Sequence, residues 1–193
     1  MNLKHFFRLV ITGNPGVGKH TSAKIVAEKL GAELIDINRL AIEKDAIVKK
    51  TSKGLDVNIK KLKRLLAKLL KIKKDLVIVG HLAPYVLKPT CISMVAVLRR
   101  SPYELEKTFE SRRYTKEKNR ENTASEILGI SLYDSLKTFG KRKVAEFDTT
   151  RKMPKQTADE IISALYKKSP RHIEIDWLAL VSERGDMKKF FGY

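Results

Sequence analysis

The chain has 193 residues and a mass of 22.0 kDa, which suits one α/β domain with small insertions. Its 40 Lys and Arg against 22 Asp and Glu give a net charge of +18; this favours an RNA or ribonucleoprotein partner and, equally, a lysine-rich surface typical of some proteomes. The one cysteine excludes an intramolecular disulfide, and neither a signal peptide nor a membrane-length apolar run is evident, so we expect a cytoplasmic protein.

The first elements predict a strand, a phosphate-binding loop and a helix. Residues 6–12 form an apolar run typical of a buried parallel strand, and Lys19–Leu30 is amphipathic and stops before Gly31. Glycines between them let backbone N–H groups point at a phosphate, while the helix N-terminus and Lys19 add positive charge. The motif predicts an ATP site made by Asn14, Gly16, Val17, Gly18, Lys19, His20 and Thr21.

The next segment predicts a second strand and a long amphipathic helix. Residues 32–37 form the strand, residues 39–48 are expected to be helical, and residues 49–57 to be a polar loop. A helix then opens at Asn58, and its apolar stripe is typical of core packing. Leu76–Val79 follows as the third strand and ends at Gly80 and His81.

The second half of the chain supplies two more strands. Residues 91–98 and Val144–Asp148 are predicted strands, separated by a charge-dense stretch and a helix that ends near residue 137. The last long helix covers residues 154–168, and a short segment at 175–181 precedes a basic tail at 187–193. Five apolar strands alternating with helices predict a P-loop α/β fold, a three-layer αβα structure with a five-stranded parallel sheet.

The order of these pieces resembles the nucleoside monophosphate kinases and, more narrowly, the adenylate kinase isoenzyme 6 family. The loop at 13–21 and the segments at 35–41 and 77–82 resemble that family's loop, its monophosphate-binding region and its modified Walker B strand. The match covers the chain to about Leu178. Its most specific part is a lid pattern made, in order, by Leu105, Arg112, Tyr114, Lys118, Glu121, Asn122, Glu126 and Ile127.

The resemblance implies a broad-specificity nucleoside monophosphate kinase, an adenylate kinase that converts ATP and AMP to two ADP, with ATPase activity and a link to small ribosomal subunit and rRNA maturation. It implies a single kinase domain over residues 1–193, with a monophosphate-binding insertion at about 36–59 and a lid at about 111–121. Arg112 would close on the transferring phosphoryl group, His81 would face water or substrate, and Lys152 or Arg151 would approach the adenine. The implied partners are a small-subunit ribosomal platform protein and rRNA, and the chain is expected to be a monomer or weak dimer.

Two positions depart from the family pattern. His20 stands where most P-loops place a magnesium-binding hydroxyl, and imidazole is a poor ligand for this hard ion. Val79 stands where the family has an acid that orients magnesium or its water. Asp36, at the end of the neighbouring strand, is a better substitute for that acid than Asp75, which begins the strand several residues away. We therefore expect magnesium to be held indirectly, with no direct protein cage, and the kinase to be slow.

The sequence leaves open the role of three arginines and the choice among three functions. Arg99, Arg100 and Arg113 are either extra phosphate clamps or solvent-facing residues. The protein is either an adenylate kinase or a catalytically weak, ATP-switched ribosome assembly factor. The third possible function is a kinase for another nucleoside monophosphate, which the sequence does not exclude because acceptor choice depends on pocket shape.

Overall fold

Strands and helices alternate along the chain and surround a central parallel sheet. The computed structural model describes residues 6–51, 54–167 and 175–192. The strands are β1 (Arg8–Thr12), β2 (Glu33–Asp36), β3 (Ile47–Thr51), β4 (Gly54–Val57), β5 (Leu76–Val79), β6 (Met94–Arg99) and β7 (Val144–Asp148). Five of them form one parallel sheet in the order β2-β5-β1-β6-β7, which confirms the predicted fold class.

Helices cover both faces of this sheet. They are α1 (Lys19–Leu30), α2 (Ile37–Glu43), α3 (Ile59–Leu69), α4 (Ala83–Val86), α5 (Pro102–Ser111), α6 (Lys116–Ile127), α7 (Ile130–Phe139), α8 (Pro154–Lys167), α9 (Trp177–Glu183) and α10 (Met187–Phe191). Because side chains alternate along a strand, β1 sends Val10 into one core with α3 and α7, and Leu9 and Ile11 into another with α1, α5 and α8.

The segment between α2 and α3 differs from its prediction. The expected helix ends at Glu43, Asp45 adopts a left-handed conformation with φ of 49°, and β3 and β4 pair as an antiparallel hairpin. Residues 47–51 and 54–57 are therefore paired strands outside the main sheet, and not a helix end followed by a loop. The β-branched Ile47 and Val48 favour a strand over a helix once Asp45 has broken the helical path. The predicted helix start at Asn58 is confirmed, since its side chain accepts a hydrogen bond from the Lys61 N–H.

The C-terminal half needs smaller corrections. The strand expected over 91–98 is β6, which starts only at Met94 because residues Pro89–Cys91 form a 3-10 turn. The expected single helix to residue 137 is split into α6 and α7 at Gly129, whose φ is 64°. The predicted short segment and tail are helices α9 and α10, which pack on α6; residues 168 and 193 lie outside the described residues. Within the described ranges, no helix is both long enough and apolar enough to cross a membrane.

Candidate active site

A cleft of about 730 Å³ opens at the carboxyl edge of the sheet, where the loops after β1, β2 and β5 meet. Residues of the loop at 13–21 form its floor, the segment from β2 to β4 supplies one wall, and α5 to α7 supply the other. Its polar lining is made by Asn14, Lys19, His20, Thr21, Asn38, Asp56, His81, Arg112, Lys118, Asn122, Ser125, Ser131 and Asp134.

Two glycines show why the loop can curl. Gly13 has a φ of 138°, and a Cβ there would lie 2.4 Å from the Leu98 carbonyl oxygen, so only glycine lets the loop leave β1 beside β6. Gly18 has a φ of 87°, and a Cβ there would meet no described atom within 4 Å. The first glycine fits the loop against the sheet, and the second leaves the cleft floor open for a phosphate.

Lys19 lies at the bottom of this cleft with 6% of its surface exposed. Its Nζ donates a hydrogen bond of 3.1 Å to the carbonyl oxygen of Asn14. Burial and then the positive charge of Arg112 lower the pKa of Lys19 to about 8, while the carboxylates of Asp36 and Glu126 act in the opposite direction. A polyanion bound in the cleft would supply the negative charge that this ammonium group lacks.

The side chains of Asn14 and Val17 are both held by other parts of the protein. The Asn14 amide is held by α6 and α7, and Val17 is fully buried in the core, with its carbonyl accepting a bond of 3.1 Å from Thr149 Oγ1. Only their backbone groups would be free to take the predicted part in ATP binding.

His20 and Asp36 are in contact at the edge of the cleft. Nε2 of His20 lies 3.1 Å from Oδ2 of Asp36, whose other oxygen accepts the backbone N–H groups of Asn38 and Arg39 and so caps α2. Burial alone would raise the pKa of Asp36, but the hydrogen bonds from His20 and Arg39 keep it below its usual value. Asp36 is paired in register with Val79 across β2 and β5, so its carboxylate is at the strand end beside the position where the family has an acid.

His81 and Val79 have different environments at the end of β5. Val79 is 1% exposed and packs in the core, whereas His81 lines the cleft and is open to it. Desolvation by the surrounding protein, followed by the charges of Lys19 and His20, lowers the pKa of His81 to about 4. The imidazole is therefore neutral at physiological pH and can orient a hydroxyl or water without adding charge.

Arg112 lines the opposite wall of the cleft. It ends α5, is exposed, and is close enough to Lys19 to affect the pKa of that group. Tyr114, two residues later, stacks on Phe109 with ring centroids 5.2 Å apart, and Lys118 Nζ lies 4.6 Å from the Tyr114 ring centroid. Three residues of the predicted lid, Arg112, Tyr114 and Lys118, thus line the same cleft as the loop.

The other basic candidates lie outside this lining. Arg99 is 1% exposed and binds Glu126 and Glu146, so it is no phosphate clamp in this conformation. Arg100 touches the Gly16 carbonyl at 3.4 Å, and Arg113 is exposed with a φ of 55°. Lys152, predicted to approach the adenine, binds Glu160 through two bonds of 2.8 and 2.9 Å.

Sequence reasoning missed the role of Glu126 in the loop's surroundings. This fully buried carboxylate binds Asn14, which lies 112 residues earlier in the chain. Burial raises the pKa of Glu126, and the nearby Arg99 opposes that shift. The lid pattern includes Glu126, but no local signal in the sequence indicates which residue it contacts.

The sequence of this chain matches a family model and several curated relatives. A family model described as an AAA domain matches residues 9–129, which run from β1 to the end of α6 and Gly129. A protein of Methanocaldococcus jannaschii named "Putative adenylate kinase" is 33% identical over 88% of this chain and 92% of its own. A Pyrococcus abyssi protein of the same name is 35% identical over 91% of this chain and 93% of its own. The chain belongs to this archaeal adenylate kinase family.

Solved structures show the same fold at low identity. Shikimate kinase from Aquifex aeolicus superposes with a TM-score of 0.54 at 15% identity, over 83% of this chain and 97% of its own. A gluconokinase from Sinorhizobium meliloti gives 0.53 at 16% identity, over 84% of this chain and 93% of its own. These structures share the fold alone, whereas the archaeal relatives confirm the family resemblance and the expected class of enzyme, a phosphotransferase.

Proposed function

We propose that the protein transfers the terminal phosphoryl group of ATP to AMP and so forms two ADP. The observation that carries this proposal is the convergence of Lys19, Arg112 and the open loop backbone on one cleft. Phosphoryl transfer needs positioning and charge neutralisation more than covalent help, and these groups supply both. The names of the archaeal relatives support the same reaction.

We assign the two nucleotides to opposite ends of the cleft. ATP would bind its phosphates to the loop at 13–21, with Arg112 and the predicted lid at 111–121 closing over them. AMP would bind towards the predicted insertion at 36–59, where Asn38 and Asp56 line the wall. The neutral His81 lies on the cleft between these regions, where it could orient the acceptor phosphate or, in an ATPase side reaction, a water molecule.

Magnesium fits this site as an ion carried by the phosphates of ATP. Among the described residues, no group of three His, Cys, Asp or Glu side chains could hold a metal ion directly. Thr21 and Asp36 offer oxygen ligands at the loop and at the neighbouring strand end, and these are the atoms that magnesium prefers. When bound, the ion would neutralise phosphate charge, while Lys19 and Arg112 hold the phosphates in place.

The test is an assay of ADP formation from ATP and AMP by the purified protein. We expect Lys19→Ala to abolish turnover and Lys24→Ala, an exposed lysine one turn later on α1, to leave it unchanged. GMP, CMP and UMP in place of AMP would identify a different acceptor. Absence of ADP at every magnesium concentration and with every acceptor would contradict the proposal.

We further propose, as a second function, that the protein binds a small-subunit ribosomal particle through RNA phosphates. Between residues 60 and 74 the sequence has no acid, and it places eight cations on and just after α3: Lys60, Lys61, Lys63, Arg64, Lys68, Lys71, Lys73 and Lys74. All eight are exposed, so this face of α3 presents a dense positive field. The chain also resembles a family that is tied to small ribosomal subunit maturation and whose members bind a platform protein, and this resemblance supports the same proposal.

Charge reversal on α3 tests the second function. The variant Lys60→Glu/Lys63→Glu/Lys68→Glu should lose affinity for a labelled rRNA fragment, whereas Lys141→Glu/Lys155→Glu/Lys167→Glu, with the same charge change elsewhere, should lose much less. Each phosphate contact removed should lower the salt dependence of log K by about 0.7 for single strands. ADP formation should stay unchanged in both variants. Equal RNA affinity of the two variants would rule out this surface.

A further inference from the structure

A buried polar network joins the phosphate-binding loop to the helices behind it. Nδ2 of Asn14 donates to Glu126 Oε2 at 2.7 Å, and its Oδ1 accepts from Ser125 Oγ at 3.2 Å and Ser131 Oγ at 3.0 Å. The side chain of this loop residue is thus committed to α6 and α7 rather than to solvent.

The other oxygen of Glu126 is the centre of the network. Its Oε1 accepts hydrogen bonds from Arg99 Nε at 2.7 Å, the Arg100 N–H at 3.1 Å and Trp177 Nε1 at 3.2 Å. Arg99 also binds Glu146 on β7 at 2.8 Å. One carboxylate therefore connects the end of β6, helix α9 and the loop.

This network holds Asn14, the residue whose carbonyl oxygen accepts a hydrogen bond from Lys19. The Asn14 backbone carbonyl bonds to the loop's own lysine, whereas the Asn14 side chain donates a hydrogen bond to Glu126. Helix α6 carries Glu126 near its C-terminus, and Lys118 and Asn122 on the cleft nearer its N-terminus. A displacement of Glu126 would move the loop and the cleft wall together.

We infer that Glu126 is a positioning residue for phosphoryl transfer, which acts through Asn14 to hold the loop and Lys19 in register with the wall formed by α6. The inference rests on the proposed kinase reaction. A carboxylate suits this position because both of its oxygens accept hydrogen bonds. An amide of the same shape has one acceptor oxygen in place of two, so either the bond from Arg99 would be lost or Asn14 would have to turn its own amide to accept from the NH₂ group.

The experiment compares Glu126→Gln, Asn14→Ala and the double variant with the natural protein. Misplacement of catalytic groups by about 1 Å can cost on the order of 100-fold, so we expect each single variant to lower kcat by about 10- to 100-fold. The KM for the acceptor should stay within about twofold, because the network lies on the ATP side. Since both changes break one link, the double variant should be no slower than the slower single variant.

Trp177 supplies a spectroscopic readout that does not depend on turnover. It is the one tryptophan of the chain, and its indole N–H donates to Glu126. ATP should change its emission in the natural protein, and Glu126→Gln should remove most of that change. Asp186→Asn is the matched control, since this carboxylate binds Tyr103 Oη at 2.7 Å away from the loop; its kcat and its emission response should match the natural protein.

The outcomes separate the two proposals. Natural protein that binds ATP but makes no ADP overturns the kinase proposal, and the Trp177 response still tests the link to the loop. An active natural protein with Glu126→Gln and Asn14→Ala both within about twofold of its kcat, or with losses that multiply in the double variant, overturns the positioning role. If Glu126→Gln does not fold, Asn14→Ala and Ser131→Ala carry the same comparison, since both leave the carboxylate paired with Arg99.

Discussion

At the scale of single residues, the two departures from the family pattern are physically connected. His20 takes the loop position of the hydroxyl, and it binds Asp36, the carboxylate nearest in register to the apolar Val79. Asp36 could replace the missing acid, but one of its oxygens contacts His20 and the other caps α2. This arrangement supports the expectation of a slow kinase.

Replacing His20 tests that connection. His20→Ser should raise the magnesium-dependent kcat several-fold, because it supplies a hydroxyl and frees the Oδ2 atom of Asp36 from the imidazole. His20→Ala, which frees Asp36 without a hydroxyl, should give a smaller gain. Steady-state rates across a magnesium titration measure both effects, and a loss of rate in both variants would show that the histidine assists the reaction.

The charge of Lys19 predicts a pH dependence of ATP binding. Burial and Arg112 lower the pKa of Lys19 to about 8 in the free protein, and bound phosphates should raise it again. Binding above this pH therefore takes up a proton, and affinity should fall as pH rises through 8, by up to about tenfold per pH unit. Calorimetry from pH 7 to 9.5 measures the slope.

The control for this pH dependence is Lys19→Arg. Arginine keeps its charge over the whole range, so the variant should bind ATP more weakly but with a flat profile. Equal affinity of the natural protein at pH 7 and pH 9.5 would show that Lys19 does not titrate in this range.

At the scale of secondary-structure elements, the phosphate-binding loop combines two requirements that its glycines meet separately. Gly13 lets the chain pass the backbone of β6, and Gly18 keeps the entrance to α1 open. The glycine spacing in the sequence identifies the loop, but only the packed sheet shows which glycine is needed for folding and which for the ligand.

Two alanine variants separate these roles. Gly13→Ala should lower the melting temperature strongly, since its Cβ would lie 2.4 Å from the Leu98 carbonyl oxygen. Gly18→Ala should cost only about 1–2 kcal/mol for its left-handed backbone and should mainly weaken ATP binding. Thermal unfolding and ATP titration of both proteins test the prediction, which a reversed order of the two melting temperatures would contradict.

At the scale of the whole molecule, nucleotide binding should stabilise the fold. The cleft touches elements from β1 to α7, so ATP would bind the native state and not the unfolded chain. At 100 times its dissociation constant, ATP should add about 2.7 kcal/mol, or roughly 5–11 °C in melting temperature for a chain of this size. Lys19→Ala should show a much smaller shift under the same conditions, and an unchanged melting temperature of the natural protein with saturating ATP would contradict binding in the cleft.

The sequence by itself determined the strand–loop–helix unit, the five parallel strands and the family, because glycine spacing and apolar runs are local signals. It also identified His20 and Val79 as departures from the family pattern, and Asp36 as the acid nearest to replacing the missing one. Only the tertiary structure decided that residues 47–51 pair with residues 54–57, that Arg99 is buried, and that Glu126 holds Asn14. These features depend on contacts between residues far apart in the chain. Such contacts form only when the sheet packs, so no local pattern in the sequence indicates them.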